Sequence, residues 1–276
     1  MRLAKVRLGD GSTAVARVEG ESVHILDTPL SLSALLHSEP FPALESKATE
    51  RASEVTFLPP IDEQEVWAAG VTYVRSKVAR EEESATSGGS RFYDMVYTAP
   101  RPELFLKAPA WRVVGDRQPV RIRKDATWNV PEPELALMLS PAMKVVGFTI
   151  GNDMSSRDIE GENPLYLPQA KLYDGCCALG PVVTLAGHLP SLHDTKITLI
   201  IRRNDRTAFE GTTSPAMLKR SFDELAGWLG KELSFPHGAV LLTGTGIVPP
   251  DGFTLEVGDE VRIDIAGIGT LSNPVA

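Results

Sequence analysis

Cysteine is nearly absent from this sequence: there are two in 276 residues, Cys176 and Cys177, and they are adjacent. Neighbouring cysteines rarely bridge each other, so a disulfide framework is excluded and a reducing, cytoplasmic setting is expected. No apolar run approaches the roughly 20 residues that a membrane-spanning helix needs. Met1-Arg2-Leu3-Ala4-Lys5 leads into polar Gly9-Asp10-Gly11-Ser12 and lacks the apolar core of a signal peptide. Histidine is also scarce. His24, His37, His188, His193 and His237 all lie far in sequence from the acidic motifs described below, which leaves a zinc site or a Ser-His-Asp triad without support. Positive charge is in deficit: 28 Lys and Arg against 36 Asp and Glu give a net charge of -8 and a pI near 5.2. Such a chain is a poor partner for nucleic acid or an anionic membrane. It can still take an anionic small molecule, because a bound cation reverses the potential locally.

The length suits one large domain, or a large one with a small one. Residues 1–60 read as a small N-terminal α/β domain. Lys5-Val6-Arg7-Leu8 meets a turn at Asp10-Gly11, residues 14–18 and 23–26 continue an antiparallel meander, and residues 31–37 suit a short helix. Pro59-Pro60 marks a stiff boundary. Residues 61–276 are strand-rich, with apolar strands at 66–69 and 197–201 and an alternating strand at Val261, Ile263 and Ile265. Residues 74–84 can be helical, and Ser87-Gly88-Gly89-Ser90 breaks the chain beyond them. The clearest helix starts at Ser221, with Glu224 in capping-box spacing and Phe222, Leu225, Trp228 and Leu229 as its apolar stripe. Strands and helices do not alternate regularly, so the fold class is β-rich α+β and not doubly wound.

Chemistry concentrates in Glu132-Pro133-Glu134. On a strand, side chains at i and i+2 leave the same face. Two carboxylates aimed at one point repel, and a divalent cation is the commonest remedy. The flanking prolines cannot donate ladder hydrogen bonds, which predicts an edge or a bulge. An isolated Glu-x-Glu is usually a solvated strand face. Here the strand runs into Leu135-Ala136-Leu137-Met138-Leu139, and Asp153 follows another apolar strand at 145–150, so the acids sit at the ends of core strands. Three hard oxygen donors suit Mg2+, with Mn2+ or Ca2+ as alternatives. Lys171 is read as a cation near that metal, holding a substrate carboxylate or moving protons. Arg157 and Asp158 are read as an ion pair bracing the metal loop. Thr243-Gly244-Thr245-Gly246 allows close backbone approach to a ligand.

These segments, in this order, resemble the fumarylacetoacetate hydrolase family: Glu132-Pro133-Glu134-Leu135, Gly151-Asn152-Asp153-Met154-Ser155-Ser156-Arg157-Asp158, Lys171, Leu242-Thr243-Gly244-Thr245-Gly246 and Gly267-Ile268-Gly269-Thr270. The resemblance runs from about Val66 to the C-terminus. It implies a mixed β-roll fold, a homodimer or homotetramer, and magnesium held by Glu132, Glu134 and Asp153 with Lys171 beside it. One segment departs from the pattern. Where the family's hydrolases carry a histidine and a glutamate that activate water, this chain has Ser76 and Ala79. Neither is a base at neutral pH.

A narrower resemblance, through residues 128–134 and 159–171 together with Arg80-Glu81-Glu82-Glu83 and Arg101-Pro102-Glu103-Leu104-Phe105-Leu106-Lys107, is to the family's 2-keto-3-deoxy-D-arabonate (equivalently -xylonate) dehydratases. It implies a 2-keto-3-deoxy sugar acid as substrate and 2,5-dioxopentanoate as product. Such a substrate, chelated to a cation, loses a C3 proton to a base and then its C4 hydroxyl as water. No water nucleophile is required. Lys171 is the expected proton-transfer group, and one of Glu81, Glu82 and Glu83, with Glu81 put first, is the expected acid for the leaving hydroxyl. Arg75, Ser76, Gln169, Thr245 and Gly246 are the expected substrate contacts, with residues 84–90 as a lid. Hydrolysis of a diketo acid or acylpyruvate, or oxaloacetate decarboxylation or tautomerisation, is the alternative reading.

Overall fold

The computed structural model describes residues 1–74, 95–189, 191 and 195–276. The expected helix beyond Val74, the 87–90 break and the expected lid lie outside the described residues.

The N-terminal meander is β1 (Arg2–Arg7), β2 (Thr13–Glu19), β3 (Ser22–Leu26) and β4 (Ser46–Arg51), with helix α1 (Leu32–Leu36) between β3 and β4. Ser31 caps α1 by accepting a hydrogen bond from Ala34 N–H at 3.3 Å. There follow β5 (Thr56–Phe57), β6 (Glu65–Gly70), β7 (Glu103–Ala108), β8 (Val113–Val114), β9 (Asn129–Leu139) and β10 (Val145–Ser156). Two short helices, α2 (Arg157–Glu162) and α3 (Leu167–Lys171), lead to β11 (Cys177–Leu185). The C-terminal third holds β12 (Ile197–Arg203), β13 (Arg206–Thr213), helix α4 (Phe222–Leu229), β14 (Ala239–Leu242), β15 (Glu260–Ile265) and β16 (Gly269–Pro274).

Among the described residues, twelve strands form one sheet ordered β4-β3-β2-β1-β11-β10-β9-β14-β6-β7, with β5 on β1 and β8 on β11; β13-β12-β15-β16 form a second sheet. The large sheet is mixed, since β14 runs parallel to β6 and β8 parallel to β11. The N-terminal meander joins it through β1 and β11, where Arg2 pairs with Thr184 and Leu3 with Val183.

Strand β9 is buried on both faces, and its alternation decides where the site lies. Leu135, Leu137 and Leu139 enter a core shared with Leu199, Ile263 and Leu271 of the smaller sheet. Ala136 and Met138 face the other way, into a second core with Val66, Leu179 and Leu242. Glu132 and Glu134 belong to that second face. A one-residue slip would force leucines into the space that Ala136 and Met138 fill and drive two carboxylates into the inter-sheet core. The register is fixed accordingly.

The edge position expected from the prolines is half met. Strand β9 is an inner strand, paired along its whole length with β10, including Pro131 with Met154 and Pro133 with Asn152. On its other side, β14 pairs only with residues 136–139. Both prolines lie beyond that ladder and break none of it. The capping box expected at Ser221 is also half met. Ser221 Oγ accepts from Glu224 N–H at 3.1 Å, but the Glu224 carboxylate turns to Arg220 at 2.5 Å. A full charge within reach outcompetes a backbone amide.

Candidate metal centre and active site

Glu132 on β9 stands directly across from Asp153 on β10, and Glu134 across from Gly151. Cross-strand partners share a face, so three carboxylates converge at the open end of the second core. Candidate ligand atoms of Glu132, Glu134 and Asp153 lie within 4.8 Å of one another, and all three residues are buried. Gly151 is small by necessity, since a Cβ there would lie 2.4 Å from Leu242 Cδ2. Its smallness lets the end of β14 close over the acids.

Three buried cations face these acids. Lys171, at the end of α3 and fully buried, donates to Glu132 Oε2 at 2.8 Å, to Asp153 Oδ2 at 3.2 Å and to Ser155 Oγ. Arg157, at the start of α2, donates to Glu132 Oε1 at 2.8 Å. Lys107 on β7 places its Nζ 2.6 Å from Asp153 Oδ1 and donates to Met154 O at 2.8 Å and to Lys171 O. Burial alone would lower the Lys107 pKa, but Asp153 beside it more than offsets this and holds it above the usual lysine value. Glu134 differs from its two neighbours. Among the described residues no ion pair reaches it, and its Oε2 accepts from Gly244 N–H. Burial, then Asp153, then Glu132 push its carboxyl well above the ordinary range.

The chemistry of the donors fits magnesium. Three hard carboxylate oxygens border a space of about 10 Å3, enough for a single water or ion, lined also by Ala69, Gly70, Val71, Phe105 and Thr245. One of the three carboxylates, Glu134, carries a burial penalty that its Gly244 hydrogen bond only partly offsets and that a cation would relieve. Roomier surface grooves, of about 670 Å3 beside Trp111 and about 770 Å3 beside Phe222, border no comparable convergence of buried acids among the described residues.

The expected residues are distributed unevenly. Glu132, Glu134, Asp153 and Lys171 come together, and Thr245 lines the same space. Thr245 Oγ accepts from Ile247 N–H at 3.2 Å, an internal turn contact. Gly246 packs under Tyr73, where a Cβ would lie 2.7 Å from the ring. Gln169 is exposed on α3, and its carbonyl accepts from Arg123 at 3.0 Å. Arg75, Ser76 and Glu81 lie outside the described residues. The expected Arg157–Asp158 pairing is replaced: Arg157 turns inward to Glu132, while Asp158 accepts from Thr127 N–H and Oγ–H. Successive residues at a strand-to-helix junction point apart, so the two cannot serve one pair.

Reading from sequence gave no role to three residues here. One is Lys107. It closes the apolar strand Glu103-Leu104-Phe105-Leu106-Lys107, and a lysine there was the available signal. The second is Glu103, paired with Gly70 across β6 and β7. Its Oε2 lies 1.9 Å from where a Gly70 Cβ would be, so the carboxylate folds over a cleft-lining glycine. The third is Val71, buried, cleft-lining, and held at φ 54°. A β-branched residue rarely enters that left-handed region. Ordinarily a glycine substitution destabilises more than alanine; here the order should reverse. Val71→Gly loses buried methyls but sheds the strain, whereas Val71→Ala loses methyls and keeps it. The glycine variant is expected to be the more stable by about 1 kcal/mol in thermal unfolding. A less stable glycine variant would contradict the strained backbone.

With this geometry in place, comparison with known proteins is decisive. Residues 65–276 match the model of the fumarylacetoacetate hydrolase C-terminal domain. The chain belongs to the fumarylacetoacetate hydrolase family. Within that family it is 42% identical, over 81% of its length and 75% of the relative's, to the 2-dehydro-3-deoxy-D-arabinonate dehydratase of Saccharolobus solfataricus. It is 47% identical, over 78% of its length and 73% of the relative's, to a Haloferax volcanii protein named probable 2-keto-3-deoxyxylonate dehydratase. A solved 2-keto-3-deoxy-D-arabinonate dehydratase, complexed with magnesium and 2,5-dioxopentanoate, matches at TM-score 0.86 and 34% identity, covering 100% of this chain and 98% of that one. The mixed, sheet-rich fold expected from the resemblance is the fold of this family.

Proposed function

We propose that this family member is a magnesium-dependent hydro-lyase that dehydrates a 2-keto-3-deoxy-D-pentonate (arabonate or, equivalently, xylonate) to 2,5-dioxopentanoate. The observation that carries this reading is the convergence of three buried carboxylates with Lys171 on one ion-sized space, in a chain whose relatives at 42–47% identity bear dehydratase names.

Glu132, Glu134 and Asp153 would hold the cation. When bound, it supplies the Lewis acidity that makes a C3 proton of a 2-keto acid removable. The remaining work falls to this chain's own groups. Lys171 Nζ, held by Glu132, Asp153 and Ser155, would take the C3 proton in its neutral form, which a cation bound beside it favours over the ammonium. Arg157 donates to Glu132 Oε1 at 2.8 Å and fixes the orientation of that carboxylate. The walls formed by Ala69, Val71 and Phe105 keep bulk water from the reacting carbons. The C4 hydroxyl needs an acid as it leaves, and the unsaturated ketone left behind then loses a C5 proton, the resulting dienol taking up protons at C3 and C4 to give the aldehyde. Glu103, folded over Gly70 at the edge of the cleft, is the candidate that the described residues offer beside Glu81. Glu103→Gln is expected to lower kcat by about 100-fold or more without changing magnesium affinity. Unaltered kcat would remove Glu103 from that role.

The reading is tested by stripping the protein with a chelator, adding magnesium, and coupling any aldehyde formed from 2-keto-3-deoxy-D-arabonate to an aldehyde dehydrogenase. Magnesium-dependent aldehyde release is expected, and its absence overturns the assignment. A cytoplasmic setting and a homodimer or homotetramer belong to the same proposal. Light scattering of the purified chain separates those assemblies from a monomer.

A further inference from the structure

Lys107 takes no part in the proton transfers above, yet it is fully buried beside them. Burying an ammonium on a flexible stem costs desolvation and rotamer freedom that an apolar residue of similar size would not incur. Its placement is specific. From β7 it reaches Met154 O on β10, Lys171 O at the end of α3, and Asp153 Oδ1, with the face of Tyr173 5.8 Å away.

We propose that Lys107 is a positioning residue that sets both Asp153 and Lys171, a role that rests on the dehydratase reading above. Asp153 has two oxygens. Lys107 occupies the side of Oδ1, and Oδ2 is turned toward Lys171 at 3.2 Å and the ion-sized space. Fixing one oxygen holds the carboxylate in a single rotamer, so Asp153 presents one oxygen to a cation rather than swinging between two. The same ammonium holds the main-chain carbonyl of Lys171. The metal carboxylate and the proton-transfer lysine, carried by a strand and a helix, are thereby referred to one point. Partners that orient ligands in this way are typically worth about 10- to 100-fold in metal affinity or activity.

The test is magnesium titration by calorimetry of the intact chain and of Lys107→Met and Lys107→Gln, with kcat and KM at saturating magnesium measured for each. Lys107→Gln keeps a polar group near the two carbonyls while removing the charge from Asp153. A wild-type chain that fails to bind magnesium indicts the metal reading and not Lys107. Given wild-type binding, either variant that folds is expected to bind magnesium about 10- to 100-fold more weakly and, at saturating magnesium, to lose kcat while KM stays near the wild-type value. A folded variant with wild-type magnesium affinity and wild-type kcat overturns the proposal. Failure of both variants to fold also overturns it, since Lys107 would then serve the fold and not the site.

Discussion

Glu134→Gln should stabilise the metal-free protein while abolishing its response to magnesium. Glu134 is buried, lacks an ion pair among the described residues, and faces Asp153 and Glu132; its carboxyl is pushed above the ordinary 4.5 by burial first and those neighbours next. A folded-state pKa that is raised makes a stabilising contribution at low pH, which is lost as pH rises through the raised value. The metal-free protein should therefore lose stability from about pH 4.5 upward, and Glu134→Gln should remove that slope. Each unit of elevation corresponds to about 1.4 kcal/mol. In a chain of this size each kcal/mol moves the melting temperature by roughly 2–4 °C. Glu132→Gln should behave in the opposite way without metal. Glu132 neutralises both Arg157 and Lys171, so its loss leaves two buried cations undercompensated, at a cost of roughly 3–5 kcal/mol. Both variants should lose magnesium-induced stabilisation and turnover. Melting curves with and without magnesium across pH check the pair. Equal behaviour of the two variants in the metal-free state would contradict the charge pairing described.

Lys171→Met should lower kcat by about 100- to 10,000-fold while leaving magnesium binding intact or tighter. Methionine preserves much of the stem's bulk. Removing the ammonium leaves Glu132 and Asp153 with one cation fewer, which makes the cluster more negative and no less attractive to a divalent ion. Magnesium titration beside steady-state turnover separates the roles. Retained turnover would remove Lys171 from proton transfer, and lost magnesium binding would make its role that of orienting Glu132 and Asp153.

Much of this site was legible in the sequence because its central geometry is local. The i, i+2 spacing of Glu132 and Glu134 on a strand is enough to place them on one face, and the strand ahead of Asp153 brings it alongside. Lys171 lies further along the chain, and family resemblance supplied its place beside the metal. What was not legible depends on tertiary choices. Whether Arg157 turns toward Asp158 or Glu132 depends on the direction of α2 relative to β9, which no local pattern encodes. Lys107 and Glu103 sit on β7, brought to the acids only through β6 and β14, far apart in sequence. The prolines of β9 misled for a related reason: Pro131 and Pro133 suggested an edge, and the strand is internal because its neighbour β14 stops three residues short of Pro133. Exposure of Gln169 follows from the short α3, whose buried side is taken by Ala170 and Lys171.

The central claim is that the carboxylate cluster and Lys171 remove water from a 2-keto acid and do not add it across a carbon–carbon bond. The most direct measurement offers the magnesium-loaded chain 2-keto-3-deoxy-D-arabonate and an acylpyruvate in parallel and follows both by proton NMR. The account predicts one product, 2,5-dioxopentanoate, from the sugar acid, and an untouched acylpyruvate. Pyruvate released from the acylpyruvate, with the sugar acid unchanged, would contradict it.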